Sequence, residues 1–401
     1  MACATRPIPI AERKPAEQHA EHHAVRIAFH TPLNAFEDGR ISGDRRMARQ
    51  IATALERLGH VVEPVRDARS YMKTSDPDLL DRHRAQATAK IEALAASWRA
   101  GAAPPDLWFT YHSYYKAPDL LGPAISEHLS IPYVVAEASG SERRAKGEWA
   151  QHVALARASF GSADLHLCFT ERDRMGVEFW CGARTLFLAF PPFIALDASA
   201  PRPRPRPRPK PQPGPPRLVT VAMMRGGVKH ESYLALARTL LQLVDRPWTL
   251  TVIGDGPLRG EVEQAFAALP PGRVTWLGAL AHDQVAAELA SHDVFIWPGL
   301  GEAYGLVYLE AQAAGLPVIA FASGGVPDTV KPDETAFLAP ENDEAALALA
   351  LSRQLADPAL RARMGRAAAA FVRSERTLET ASAILAQGFA RIASARQKAT
   401  P

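Results

Sequence analysis

The chain has 401 residues, of which 47% are hydrophobic and 22% are charged. This length predicts two domains, and this composition is typical of a globular protein. No run of about 18 apolar residues occurs, so a membrane-spanning helix is not expected. The N-terminus also lacks the apolar core of a secretory signal, which argues against export.

The net charge of +3 becomes informative once the basic residues are located. Residues 201–217 hold six Lys and Arg and no acid, so subtracting these six leaves −3 for the rest of the chain. A mildly acidic remainder does not favour a surface that binds nucleic acid. Cys3, Cys168 and Cys181 show no metal-ligand or redox spacing. This fits a reducing compartment, and we expect the protein in the cytoplasm.

The first part of the chain alternates β-rich runs with helical ones. Residues 1–24 are predicted to be a flexible tail, and residues 25–197 to form one domain. The clearest helices of this domain lie near 43–58, where the pattern stops at Gly59, and at 76–100. The predicted strands are VRIAFH, VVEPV, DLWFTYH, YVVAEA, LHLCFT and TLFLAF.

A segment rich in proline and arginine, 198–217, separates the two parts of the chain. Alternating proline favours an extended, semi-rigid polyproline II spacer that cannot form a core. Residues 218–375 predict a second domain, and residues 376–401 predict a long helix that packs back on the first domain. The predicted strands of the second domain are LVTVAMM, TLTVIG, VTWLG, VFIWPG and PVIAFA.

Alternating strands and helices predict a parallel sheet with helices on both faces. We therefore expect an α/β protein with two doubly wound, Rossmann-like domains of roughly equal size. The ligands of such sheets bind beyond the carboxyl ends of the strands. The residues that follow the predicted strands are His30, His112, Glu137, Glu171, Arg225, Gly254, Gly278, Glu302 and Gly324.

Two glutamates, Glu302 and Glu310, stand in the otherwise apolar segment 299–320. A short helix is predicted after Gly305, and its free amides and positive end would form a cradle for phosphate. Glu310 would then lie beside the phosphate, within reach of the vicinal hydroxyls of a ribose. Glu302, on the opposite side, could accept hydrogen bonds from a sugar ring. The alternative is that Glu302 complements the helix dipole and Glu310 lies on a solvated face.

A basic pair follows the first strand of the second domain. Arg225 and Lys229 flank two glycines in RGGVK, which suits a diphosphate whose charge must be neutralised as it leaves. The alternative is two solvated charges. Gly254 and Gly256 in GDGP suggest a dinucleotide-binding loop, but the G-x-G-x-x-x-G spacing with Pro257 inside it favours a tight turn.

The order of these motifs resembles that of the family 4 glycosyltransferases, which are retaining, nucleotide-sugar-dependent enzymes of the GT-B fold. The resemblance covers about residues 217–375, is looser before the linker, and implies two domains that face a central cleft. It rests on RGGVK at 225–229, GDGP at 254–257, VTWLG at 274–278, GEAYG at 301–305, E-x7-E at 302–310 and GLPVIAFASGGVPD at 315–328.

The resemblance implies a donor site in the second domain. Arg225, Lys229 and Glu302 would be its catalytic residues, the two cations binding the pyrophosphate and Glu302 the transferred sugar. Glu310 would bind the ribose. The other implied donor-binding residues are Leu277 and Gly278, against the base, and Ala303, Tyr304, Gly305 and Leu306, of which the last two offer amides to the pyrophosphate.

The resemblance also implies that no metal or other cofactor is needed, because the basic pair and the helix end hold the leaving group. Retention is then explained by front-face attack, in which the leaving phosphate helps to deprotonate the acceptor. No dedicated protein base is required in such a mechanism.

The first domain departs from the family in two places. A glycine-rich loop is missing after the first strand, where Arg40, Arg45 and Arg46 could meet an acidic acceptor or form a solvated helix face. A histidine that family members often carry after the fourth strand is also missing. Glu137 stands in the stretch where that histidine would be expected. His112, after the preceding strand, is either an acceptor-side substitute for it or a structural histidine.

The sequence therefore predicts a retaining glycosyltransferase that uses a nucleotide-diphosphate sugar and an unidentified acceptor. Two alternatives stay open: a non-catalytic relative that binds nucleotide sugars, and a sugar-nucleotide epimerase. Nucleic acid is not an expected partner. The basic linker could contact anionic lipids, which would bring the protein to the inner face of a membrane.

Overall fold

The computed structural model describes most of the chain, namely residues 24–34, 36, 42–196 and 214–399. Most of the predicted N-terminal tail and residues 198–213 of the predicted linker lie outside the described residues, as does Arg40. The expected contact between the linker and lipid therefore stays a prediction.

The first sheet has six parallel strands in the spatial order β2-β1-β3-β4-β5-β6. Its four central strands are buried on both faces, as expected for a parallel sheet covered by helices, whereas the edge strands are partly exposed. At its centre the rings of Phe29 and Phe109 stack with centroids 5.2 Å apart. The strands are Arg26–His30 (β1), Val61–Pro64 (β2), Leu107–Tyr111 (β3), Tyr133–Ala136 (β4), Leu165–Cys168 (β5) and Leu186–Ala189 (β6).

The second sheet also has six parallel strands, in the order β12-β11-β10-β7-β8-β9. Its last strand, four residues within TAFLAP, was not predicted, although apolar runs of the same length were taken as strands elsewhere in the chain. The predicted α/β architecture with two doubly wound sheets is confirmed. The strands are Arg217–Val221 (β7), Thr249–Ile253 (β8), Val274–Gly278 (β9), Val294–Ile296 (β10), Val318–Phe321 (β11) and Ala336–Ala339 (β12).

Twelve α-helices connect or cover the strands within the described residues, and both helices predicted in the first domain are confirmed. None of the helices in this part of the chain is long and apolar enough to cross a membrane. The helices are Gly43–Glu56 (α1), Pro77–Arg99 (α2), Gly122–Leu129 (α3), Ala150–Ser162 (α4), Glu171–Glu178 (α5), Val228–Leu241 (α6), Arg259–Ala265 (α7), His282–Ser291 (α8), Leu306–Ala313 (α9), Glu344–Ala356 (α10), Pro358–Glu375 (α11) and Leu378–Ala399 (α12).

The last helix, α12, lies against the first sheet's layer rather than the second. It packs on α1 and β6, and the Ser382 hydroxyl donates a hydrogen bond of 3.1 Å to the carbonyl of Ala54. Gly388 faces the sheet so closely that a Cβ there would lie 2.8 Å from the Leu165 side chain. The end of the chain is therefore part of the first domain's core.

The second domain also contributes to that core. Tyr304, Leu306 and Leu309, which lie at the start of α9, belong to the same hydrophobic cluster as Phe169 and Phe190 of the first domain. The Tyr304 ring lies 5.5 Å from that of Phe169, between centroids. The carboxyl ends of the two sheets therefore meet across one interface, where the predicted site lies.

We expect Leu385→Ala to lower the free energy of unfolding by about 2–5 kcal/mol, because Leu385 of α12 is fully buried against the first sheet. The control is Gln387→Ala, an exposed position on the same helix, which should change it by less than about 0.5 kcal/mol. Unfolding in guanidinium chloride, followed by circular dichroism, measures both. Equal stability of the two variants would contradict the packing of α12.

Candidate active site

The loop between β10 and α9 carries the first of the two predicted glutamates. Gly305 precedes the helix with φ +73°, and a Cβ there would lie 2.7 Å from the ring of Tyr308. Tyr308 in turn donates a hydrogen bond of 3.1 Å to the carbonyl of Trp297. Helix α9 therefore begins at Leu306, as predicted, and its first amides have no partner within the helix.

Glu302 forms an ion pair with Lys229, which lies at the start of α6. Both side chains are largely buried, with 13% of Glu302 and 18% of Lys229 exposed. The Lys229 ammonium also lies 5.5 Å from the centroid of the Trp297 ring. Burial, and secondly the nearby Arg225, lower the pKa of Lys229 to about 8. The lysine thus explains how a carboxylate is tolerated in this apolar segment.

The GDGP turn at 254–257 supports the loop that carries Arg225. A Cβ at Gly254 would overlap the carbonyl oxygen of Ala222, and one at Gly256 would overlap that of Met224. The amide of Met224 donates a hydrogen bond of 2.9 Å to the carbonyl of Asp255. The glycines thus allow two backbone segments to touch, and the preference for a tight turn over a dinucleotide-binding loop stays a prediction.

A second glycine pair, Gly324 and Gly325, supports the loop that carries Glu302. The amide of Gly325 donates a hydrogen bond of 3.0 Å to the carbonyl of Glu302, and a Cβ on Gly324 would overlap that carbonyl oxygen. The Ser323 hydroxyl accepts a hydrogen bond of 2.8 Å from the amide of Gly301. Ser323 was missed as a site residue, although the SGG sequence after a buried strand was a signal for it.

Glu310 forms an ion pair with Arg46, which lies on α1 of the first domain. His282 completes this group: its Nδ1 lies 3.9 Å from Glu310, and its Nε2 lies 3.2 Å from the Arg46 guanidinium. Arg45, next to Arg46, is buried. The interpretation of these arginines as a solvated helix face is therefore wrong. Glu310 is not solvated either, and it is shared between the two domains.

The residues predicted to lie against a base occupy the end of β9. Gly278 has φ +68°, and its carbonyl accepts a hydrogen bond of 2.8 Å from the amide of Gly254. The side chains of Arg259 and Asp255 flank it, 3.6 Å and 3.9 Å from where its Cβ would be. Leu277 and Gly278 therefore lie at the same sheet edge as the GDGP turn.

The first domain presents a compact polar cluster at its strand ends, formed by Asp44, His112 and Glu137. His112 Nδ1 lies 2.5 Å from Asp44 Oδ1 and 3.7 Å from Glu137 Oε1. Despite burial, Glu137 and the hydrogen-bonded Asp44 raise the pKa of His112 to about 9. His112 and Glu137 were predicted together, and Asp44 was missed because it lies in a different segment, at the start of α1.

The ligating atoms of this cluster lie within 4.8 Å of one another, which is also compatible with a cation. The short hydrogen bond between His112 and Asp44 already accounts for the arrangement, and Asn34 donates a further hydrogen bond of 2.5 Å to Asp44. We therefore treat the cluster as a hydrogen-bonded acid–base group and assign no metal to it.

A pair of tyrosines connects this cluster with the donor side. The hydroxyl of Tyr111, which precedes His112, lies 3.0 Å from the hydroxyl of Tyr304, which precedes Gly305. Both tyrosines are buried. The acid–base cluster and the amino end of α9 therefore face one another across the interface.

Comparison with known families finds a match within the second domain. The family model described as "Glycosyl transferases group 1" matches residues 215–357. A sulfoquinovosyl transferase of Arabidopsis thaliana is 33% identical over 157 residues, which are 38% of this chain and 30% of that protein. The chain thus matches about a third of the length of this curated relative.

Solved structures match over nearly the whole chain. A sucrose-phosphate synthase of Thermosynechococcus elongatus superposes with a TM-score of 0.67 at 20% identity, covering 92% of this chain and all of that one. HepE of Anabaena, solved in complex with UDP, gives 0.65 at 18% identity, covering 91% and 100%. Residues 215–357 are therefore similar to the group 1 glycosyl transferases, and the described chain as a whole has the GT-B fold.

Proposed function

We propose that the protein is a retaining glycosyltransferase that moves a sugar from a nucleotide-diphosphate sugar to an acceptor held by the first domain. The observation that carries this proposal is the convergence of Lys229, Glu302 and Glu310 around the amino end of α9. The family match of this domain and the UDP-glucose bound by HepE support it. The nucleotide base and the acceptor stay undefined.

The donor's diphosphate would lie between the basic pair and the first amides of α9. Arg225 is exposed and close enough to lower the pKa of Lys229, so the two cations repel one another when no anion is bound. A diphosphate relieves this repulsion and gains from the positive helix end. The same groups would then stabilise the charge that develops on the leaving nucleotide.

Donor binding would proceed by an exchange of ion pairs. In the free protein Lys229 neutralises Glu302 and Arg46 neutralises Glu310. When the diphosphate arrives, it attracts Lys229, and the ribose takes the place of Arg46 beside Glu310. The carboxylates then accept hydroxyl hydrogens, Glu302 from the transferred sugar and Glu310 from the ribose. These hydrogen bonds offset part of the cost of separating each buried carboxylate from its cation.

The rest of the donor site would be built from backbone and apolar groups. Leu277 and Gly278 would lie against the base, and the segment from Ala303 to Leu306 would border the phosphates. The side chains of Tyr304 and Leu306 are occupied by packing against the first domain. These two residues would therefore contribute through their backbone.

The acceptor would enter from the first domain, beside His112 and Glu137, and attack on the face from which the nucleotide leaves. We propose that no metal is required, since cations of the chain neutralise the phosphates. We also propose a cytoplasmic location, because both described cysteines, Cys168 and Cys181, are free thiols.

We expect acceptor-dependent, or slow hydrolytic, release of nucleotide from at least one member of a panel of labelled UDP-, GDP- and ADP-sugars. The rate should be the same after treatment with EDTA, because Arg225 and Lys229 take the role of a metal. If no donor that binds releases its nucleotide, the protein is a non-catalytic binder. A rate abolished by EDTA would contradict the metal-free assignment.

We expect Glu310→Ala to raise the Kd of the nucleotide sugar about 10- to 100-fold, because two hydrogen bonds from the ribose to a charged group are lost. Isothermal titration calorimetry measures this. Glu341→Ala, an exposed glutamate of the same domain, is the matched control. Arg46→Ala removes the competing cation but keeps Glu310, so its Kd should stay within about threefold of wild type. An unchanged Kd for Glu310→Ala would show that the ribose binds elsewhere.

A further inference from the structure

We propose that Glu137 accepts the proton of the acceptor hydroxyl during sugar transfer. This inference rests on the proposed glycosyltransferase activity and gives that activity a protein base. The family resemblance implies none, because the leaving phosphate is expected to take the proton.

The backbone at Glu137 and at His112 is held in an unfavourable conformation. Glu137 directly follows strand β4, and His112 directly follows the neighbouring strand β3. The backbone of both is left-handed, with φ +56° at Glu137 and φ +61° at His112. Their amides still pair with the sheet, His112 with the carbonyl of Ala136 at 2.9 Å and Glu137 with that of Leu167 at 3.0 Å. Left-handed backbone costs a residue with a Cβ about 1–2 kcal/mol. Such strain, when it recurs at adjacent strand ends, is typical of functional sites.

Glu137 has one carboxylate oxygen that the protein leaves without a partner. Its side chain is 5% exposed, and Oε1 lies 3.7 Å from His112 Nδ1. Oε2 is buried and accepts no hydrogen bond of 3.5 Å or less from the described residues, although the Tyr111 hydroxyl is near enough to lower the pKa of Glu137. An unsatisfied buried carboxylate oxygen is costly. A hydroxyl group of a bound acceptor would provide the missing partner.

The site lies beside the donor loop. The hydroxyl of Tyr111, the residue before His112, is hydrogen-bonded to the hydroxyl of Tyr304. Tyr304 directly precedes the amides that we propose to hold the diphosphate. The charge of Glu137 acts on both tyrosines and raises their pKa values further, after burial. Glu137 and the donor loop are therefore joined through one pair of buried tyrosines, and we infer that a nucleophile held by Glu137 approaches the donor from this side.

The groups around Glu137 suit proton transfer near neutral pH. His112, Asp44 and Asp173 act on its charge, and Tyr111 and Tyr304 also face it. Burial raises the pKa of Glu137 to about 8, against the lowering effect of His112. A base works best when its pKa is close to the working pH. His112, whose pKa is raised to about 9, is then a cation beside Glu137 and favours the ionised carboxylate.

The proposed step is balanced without any further reactant. The acceptor oxygen forms a bond to the anomeric carbon of the sugar. The bond between that carbon and the phosphate oxygen breaks, and its electron pair leaves with the nucleoside diphosphate. The hydroxyl proton moves to the Glu137 carboxylate and is later released to water. When water is the acceptor, the same step is donor hydrolysis, so the step can be measured before the natural acceptor is known.

The test compares wild type, Glu137→Gln and Glu137→Asp with the donor from the UDP-, GDP- and ADP-sugar panel that wild type turns over. We expect kcat for nucleotide release to fall about 100-fold or more in Glu137→Gln, the lower range for a general base. Its donor Kd should stay within about threefold, which also shows that the variant folds. Glu137→Asp should recover part of the rate, since a carboxylate is restored.

The pH profile gives a second readout. Glu137 must be ionised to accept a proton, so the wild-type kcat should rise with pH and level off above about pH 8. In Glu137→Gln this ascending limb should be lost. A Glu137→Gln enzyme with a wild-type rate and the same pH profile would overturn the inference while leaving the proposed activity standing. A wild type that binds donors but releases no nucleotide would overturn both.

Discussion

The arrangement of the site depends on two carboxylates that lie at one interface. Each is neutralised by a cation from another segment of the chain. Glu302 is held by Lys229 of the same domain, and Glu310 is held by Arg46 of the other domain. Charges of this kind are tolerated in a protein interior only when they are paired. Lys229, which neutralises Glu302 in the free protein, is also a cation that an anionic donor would attract.

Glycines set the position of these charged groups by removing the side chains that would keep the loops apart. The GDGP turn brings β8 against the Arg225 loop, and the Gly324–Gly325 pair brings β11 against the Glu302 loop. Two loops from neighbouring strands are thus fixed by backbone contacts, one carrying Arg225 and the other Glu302.

Much of the architecture could be predicted from the sequence, because strands of a buried parallel sheet are short apolar runs between amphipathic helices. Strand β12 was missed, although its AFLA run is as long as those of strands that were predicted. The position of Glu302 before a helix, and of Glu310 within it, followed from Gly305 and the apolar segment alone. Local sequence signals were sufficient for segments whose conformation is set by residues nearby in the chain.

Contacts between distant segments could not be predicted. Arg46 and Glu310 are separated by 264 positions, and nothing in RISGDRRMAR indicates a partner in the other domain. The hydrogen bond between Asp44 and His112 could not be predicted for the same reason, because it depends on how α1 packs beside β3. Side-chain pairing across an interface is set by tertiary packing, which leaves no trace in local periodicity.

A crystal structure with whichever of UDP-glucose, GDP-mannose or ADP-glucose binds tests the proposed donor site most directly. The diphosphate should lie between Arg225, Lys229 and the first amides of α9, and the ribose hydroxyls should donate to Glu310 in place of Arg46. Glu302 should contact the sugar instead of Lys229. A nucleotide bound elsewhere, with both ion pairs intact, would contradict the proposed donor site and the proposed exchange of ion pairs.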